Sequence, residues 1–165
     1  MMGLSPSTFT TVHVIFGLLA IFSGSIVVLG MMRAKRREGW TTFFLVMTGA
    51  TSVTGFLFHS SSFGPPHVIG VISLVTLAVA TVARYGYHLE GAWRWTYAAS
   101  AVLALYLNVF VGIVQAFEKL PVLQPLAPTE SEPPFLIIQV VVMVIFIVLG
   151  GLAMVRFHPE LARLA

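Results

Sequence analysis

The sequence predicts an all-α integral membrane protein, a single-domain bundle of five transmembrane helices covering residues 1–165. Three observations carry that expectation. Hydrophobic residues make up 58% of the chain and charged residues only 9%, whereas a soluble domain carries about 25% charged residues. So little charge does not cover a water-facing surface of this length. Five apolar runs fall at about 11–32, 40–58, 67–84, 93–117 and 134–155, each near the ~20 residues that a helix needs to cross a ~30 Å hydrocarbon core. Lipid offers the backbone no hydrogen-bond partner, which makes these runs helices rather than strands.

Orientation follows from the basic residues. Arg33, Lys35, Arg36 and Arg37 lie between runs 1 and 2, Arg84 and Arg94 flank the turn between runs 3 and 4, and Arg156 and Arg163 follow run 5. Only Lys119 lies in the other set of connections. This asymmetry predicts the N-terminus, the loop at 59–67 and the loop at 118–133 outside, with the C-terminus inside. Trp40, Trp93 and Trp95 then fall at the inner interface, where amphipathic rings settle. No basic stretch precedes the first run, so the start reads as a translocated end and not as a cleaved leader. The Arg33, Lys35, Arg36 and Arg37 cluster reads as a topology determinant and lipid-headgroup contact.

Helix 1 carries His13, Gly17, Ala20 and Gly24 on one face. Helix 2 carries Thr48, Ser52, Gly55 and His59. The connection that follows, Phe58-His59-Ser60-Ser61-Ser62-Phe63-Gly64-Pro65-Pro66-His67, joins two histidines across a turn. Helix 3 shows a heptad line of His67, Leu74, Thr81 and His88. The inner group Arg84, Tyr85, Tyr87, His88, Glu90 and Arg94 reads as anionic-headgroup contact. Helix 4 aligns Asn108, Gly112, Gln115 and Glu118, and helix 5 aligns Glu132, Leu136, Gln139 and Met143. The long loop at 118–133 is rich in proline and leucine, which predicts a stiff path lying on the bundle. Pairs 1–2 and 3–4 share orientation, a His-Val-Ile start (His13, His67) and a Trp-Thr pair (Trp40-Thr41, Trp95-Thr96). These matches suggest a weak parallel repeat.

Two readings compete for the polar residues. Small residues and hydroxyls on membrane helices commonly serve packing, and that is the stronger reading for Gly17, Ala20, Gly24, Thr48, Ser52 and Gly55. Asn108, Gln115 and Gln139 are costly in hydrocarbon unless paired, so they are expected to face the bundle interior. At the outer ends, His13, His59, His67, Glu118 and Glu132 form the titratable set. Imidazole and carboxylate suit a transition metal, with His13, His59, His67 and Glu118 as ligands. Two facing imidazoles, His13 and His67 at matching depth, suit haem b. The rival reading is that interfacial histidines bond only water and headgroups. The chain has no cysteine and no aspartate, which excludes disulfides, thiolate ligands and a Cys nucleophile. No HExxH, CxxC, GxGxxG or P-loop pattern is present, and no residue is assigned as catalytic.

The stretch from Tyr106-Leu107-Asn108-Val109-Phe110-Val111 through Gln115-Ala116-Phe117 to Ala127-Pro128-Thr129-Glu130-Ser131-Glu132-Pro133-Pro134-Phe135 resembles a family of small multi-pass bacterial membrane proteins of unassigned function. The similarity runs over most of the chain. The resemblance implies a bacterial inner membrane and supplies no activity or cofactor.

Three functions are therefore expected in order. The first is an outer pocket, lined by His13, His67, His59, Gln115 and Glu118, that binds a metal ion, haem or a quinone-like molecule, with electron transfer following for haem or copper. The second is an accessory or scaffolding subunit of a membrane complex or homo-oligomer. The third is a small transporter or channel lined by Asn108, Gln115 and Gln139. The lipid bilayer is the expected partner, and nucleic acid is not.

Overall fold

The structure, a computed structural model, describes residues 6–57 and 64–158. His59 and the rest of 58–63 lie outside the described residues, so the expectations placed on them are not addressed below. All regular structure among the described residues is helical. The main helices are α1 (Pro6–Met32), α2 (Glu38–Phe56), α3 (Pro65–Thr81), α4 (Trp93–Lys119) and α5 (Pro133–Arg156). A π-helical turn, Val82–Gly86, extends α3, and a short 3₁₀ turn, Gln124–Leu126, sits in the loop after α4.

Local chemistry sets several of these ends. Pro65 and Pro133 stand at the first turns of α3 and α5, where proline's missing N–H costs nothing and its fixed φ suits the helix. Glu38 places a negative charge in the first turn of α2, near the positive end of the helix dipole. Pro121 follows Leu120, whose backbone is already extended, and α4 stops there.

Helices α1 to α4 form a four-membered ring in which each touches its sequence neighbours and α4 closes against α1; α5 lies outside, against α4 and α1. Short turns make consecutive helices antiparallel. One end of the bundle therefore carries the start of α1 and the α2–α3 and α4–α5 connections, with His67, Gln115 and Lys119 (the histidine end). The other carries Arg33 to Arg37, Arg84 and Arg94 (the arginine end).

Among the described residues, four helices, α1, α3 with its π turn, α4 and α5, are long and apolar enough to cross a membrane. The sequence reading counted five such runs, and α2 is the one that falls short. Its hydroxyls lower its hydropathy; Thr41 and Thr48 are buried beside Phe44 and Leu45, while Thr42, Phe43, Val46 and Val53 are exposed.

The two halves of the bundle are filled differently. At the arginine end, Val28, Met31, Phe44, Leu45, Tyr97 and Leu105 join one continuous core. Gly24 belongs to this packing, since a Cβ there would stand 2.7 Å from Phe44 and 2.8 Å from Leu105. At the histidine end, each of the four ring helices contributes a glycine, Gly17, Gly55, Gly70 and Gly112, to the lining of one space. Contacts fix their heights. Gly17 lies beside Thr51, Gly55 beside His13, Gly70 beside Phe56, and Gly112 beside Ile21. The four therefore fall within about 8 Å of height at the histidine end, at ~1.5 Å per residue, and the side chains they lack leave room for a void.

The 118–133 loop lies on the bundle in part. Ala127 is buried with Phe117 and Phe135 in a small second core, while Val122 is exposed.

Candidate functional site

The void is a partly open cavity of about 740 Å³ lined by α1, α2, α3 and α4. Its wall is mainly apolar, with polar groups from all four helices. His13, His67, Ser52, Asn108, Gln115 and Glu118 all line it. Sequence reasoning expected His13, His67, Gln115 and Glu118 in one outer pocket and read Ser52 and Asn108 as bundle-interior groups; the structure brings all six to one space. Glu132 is elsewhere: its carboxylate accepts from the Thr129 hydroxyl (2.8 Å), the Thr129 N–H (3.2 Å) and the Ser131 N–H (3.1 Å). Gln139 is also outside the cavity, on α5, donating to the Phe110 carbonyl of α4 at 3.3 Å. Its Oε1 is buried without a hydrogen-bond partner.

His13 is buried. Its Nδ1 lies 2.8 Å from Thr54 Oγ1. That hydroxyl also lies 2.7 Å from the Ala50 carbonyl. A carbonyl only accepts, so the Thr54 hydrogen goes to Ala50 and His13 Nδ1 is the donor. His67 is set the other way. It stands in the first turn of α3, and Gly64 N–H donates to its Nδ1 at 3.3 Å. A neutral His67 thus carries its proton on Nε2 and a neutral His13 on Nδ1.

The two histidines do not stand at matching depth. α1 begins at Pro6, five residues earlier than the sequence reading placed it, and His13 lies level with Thr54 of α2. His67 is the third residue of α3. The α2–α3 register, with Leu77 over Gly49 and Phe56 over Gly70, puts His67 about 7 Å nearer the end of the bundle, at ~1.5 Å per residue. The equal-depth pair expected for a haem is not what the helices present.

Asn108 reaches across the ring. Its Nδ2 donates to Thr48 Oγ1 of α2 at 3.2 Å and to the Ala104 carbonyl at 3.0 Å. At the rim, Lys119 Nζ donates to Gln115 Oε1 at 2.8 Å, one turn apart on α4. No three His, Cys, Asp or Glu side chains converge as a metal-holding group among the described residues. His13, His67 and Glu118 share a cavity without forming such a cluster.

The arginine end holds a site the sequence reading put in the headgroups. Arg84 is not turned out to lipid; it is buried. Ser73, Thr76, Ala80, Ala83 and Arg84 are the buried residues of α3 and its π turn, so Arg84 continues the inward face. The line His67, Leu74, Thr81, His88 does not, because Thr81 and His88 are exposed. Arg84 Nη2 lies 2.8 Å from Glu38 Oε2, a contact close enough for an ion pair but outside hydrogen-bond geometry, and Nε has no partner. The guanidinium also sits 5.5 Å from the Tyr85 and Tyr97 ring centres. Tyr97 in turn donates to Thr41 Oγ1 at 3.4 Å. The signal that reveals Arg84 is its spacing of four and eight residues from the buried Ala80 and Thr76.

Together these features define a class: a helical bundle of the multi-pass membrane type, close-packed at one end and hollow at the other. Comparison with protein families, with curated proteins and with solved structures finds no match to this chain.

Proposed function

We propose that the protein is a five-crossing membrane protein, N-terminus outside and C-terminus inside, whose outward-facing cavity binds a lipid-soluble ring compound of the quinone type. One observation supports this above the others: four helices line a partly open cavity of about 740 Å³, mainly apolar, to which polar groups converge. Ligand sites combine those properties, an apolar wall and a few placed polar groups. A fifth crossing by α2 fits its pattern, with Thr41 and Thr48 inward and Phe43, Val46 and Val53 outward. The family resemblance and the basic-residue asymmetry favour a bacterial inner membrane. Quinone-type chemistry suits a site rich in neutral donors and acceptors. A metal centre is less well supported, since no three ligands cluster among the described residues.

The test is binding of a short-chain alkyl quinone and its hydroquinone to the purified protein, set against Gly112→Phe. A Cβ at position 112 would already stand 3.4 Å from Ile21 Cδ1, so a phenyl ring there fills the cavity. The expected result is saturable binding that the variant loses. Absence of binding, or binding that Gly112→Phe leaves intact, overturns the reading in favour of a scaffolding subunit. A Soret band or a stoichiometric metal in the purified protein would overturn it in favour of haem or metal.

A further inference from the structure

The cavity contains polar atoms that the protein leaves without partners. In helices surrounded by apolar side chains, Ser and Thr hydroxyls normally bond the carbonyl one turn back. Ser23, Ser25, Thr51, Thr54, Thr81 and Ser100 all do so here, at 2.6–2.9 Å. Ser52 and Ser73, which both line the cavity, make no such bond and have no other hydrogen-bond partner among the described residues. Ser73 is only 9% exposed, and it lines the cavity. Neither hydroxyl is among the fully buried unpartnered atoms, so a ligand or water in the cavity can reach it, and a polar group left unmet in an apolar wall costs about 1–3 kcal/mol.

Asn108 supplies the chemical direction. One of its two hydrogen-bond contacts is to the Ala104 carbonyl, which only accepts, so the atom facing it is the amide nitrogen. Both amide hydrogens are then used, on Ala104 and on Thr48. What Asn108 has left is Oδ1, an acceptor and nothing else. It therefore selects a ligand atom that carries hydrogen.

The helix registers place these groups relative to one another. Phe56 over Gly70 and Leu77 over Gly49 set Ser73 level with Val53, beside Ser52. Thr48 bonds Asn108, which puts Asn108 one turn, ~6 Å, deeper than Ser52. That separation is about the span of a six-membered ring bearing an oxygen at each end.

We propose that this part of the cavity binds the ring of a lipid-soluble hydroquinone, with Asn108 Oδ1 accepting from one hydroxyl and Ser52 and Ser73 bonding the oxygen at the other end. The inference rests on the cavity being a ligand site and adds which redox form it holds. A quinone offers Asn108 only a carbonyl, and two acceptors repel; a hydroquinone offers a donor. The site thus prefers the reduced form.

The experiment is equilibrium binding of a short-chain alkyl hydroquinone and its quinone to the full-length protein in detergent, under anaerobic conditions. The wild type is expected to hold the hydroquinone about tenfold more tightly, the worth of one neutral hydrogen bond gained against one repulsion. Asn108→Leu is expected to bring the two affinities together, weakening the hydroquinone by the lost bond and strengthening the quinone as the repulsion disappears. Ser73→Ala removes a hydroxyl that holds no helix contact, and is expected to weaken both about fivefold; it keeps the test open should Asn108→Leu fail to fold. Equal wild-type affinities, or a Ser73→Ala protein that binds as the wild type does, overturn this inference while the cavity reading stands. Absence of binding by either form overturns both.

Discussion

Glu38 and Arg84 are joined across the α2–α3 contact, Oε2 to Nη2, at 2.8 Å. The pair is lopsided: the arginine side chain is 4% exposed and the glutamate 68%. Water screens the carboxylate, which keeps the pair's own worth near ~1 kcal/mol. The buried guanidinium, however, depends on it. Glu38→Gln is expected to lower stability by about 1–2 kcal/mol, and Arg84→Met together with Glu38→Gln by less than the sum of the singles. Thermal unfolding of the four proteins in one detergent reads the cycle; strict additivity would mean the two residues do not interact.

Thr48 and Asn108 tie α2 to α4 across the ring. Thr48→Val removes the acceptor while keeping the shape, and leaves one amide hydrogen of Asn108 unmet. A loss of about 1 kcal/mol is expected. Thr48→Ser, which keeps the hydroxyl, should restore most of it. Equal melting of Thr48→Val and wild type would show that water replaces the bond.

Glu130 gives the pH signature of the loop after α4. Partial burial and the neighbouring Glu118 carboxylate hold its carboxyl above the ordinary range. Its backbone is also left-handed, with φ of 58°, which a non-glycine residue adopts at some cost. The folded state therefore keeps a proton that the unfolded chain has released. Stability from this group is present below the ordinary carboxylate pKa and is lost as pH rises through the raised value. Glu130→Gln is expected to flatten that fall and raise the melting temperature at neutral pH. A wild-type slope retained in the variant would assign the effect to another group.

Orientation is tested by reporters. Eight of the nine basic residues lie on one side of the proposed membrane topology, with Lys119 the exception. A reporter fused after Ala165 is expected to be active only in the cytoplasm, and one in the 118–133 loop only outside. Replacing Arg33, Lys35, Arg36 and Arg37 by neutral residues is expected to give mixed insertion. The opposite signals would turn the cavity to the inner face.

Much of this architecture was legible in the sequence. Length and hydropathy decide that a chain with this little charge forms long apolar helices, because burying so many backbone groups leaves helices as the economical solution. Periodicity put Asn108, Gly112, Gln115 and Glu118 on one face of α4, and all four line the cavity. Single-helix periodicity cannot say which faces meet. The gathering of Gly17, Gly55, Gly70 and Gly112 around one cavity depends on the register between helices, and so on how far each extends. His13 was read as the start of a helix, but with α1 beginning at Pro6 it is buried beside Thr54. Arg84 was read as a surface charge because it follows an apolar run; only the packing of α3 against α2 and α4 turns it inward, where Glu38 and Tyr97 meet it. Local sequence determined the helices, since their hydrogen bonds are local. The cavity and the buried arginine were decided by tertiary structure, since each is made by side chains from different helices that only packing brings to the same height.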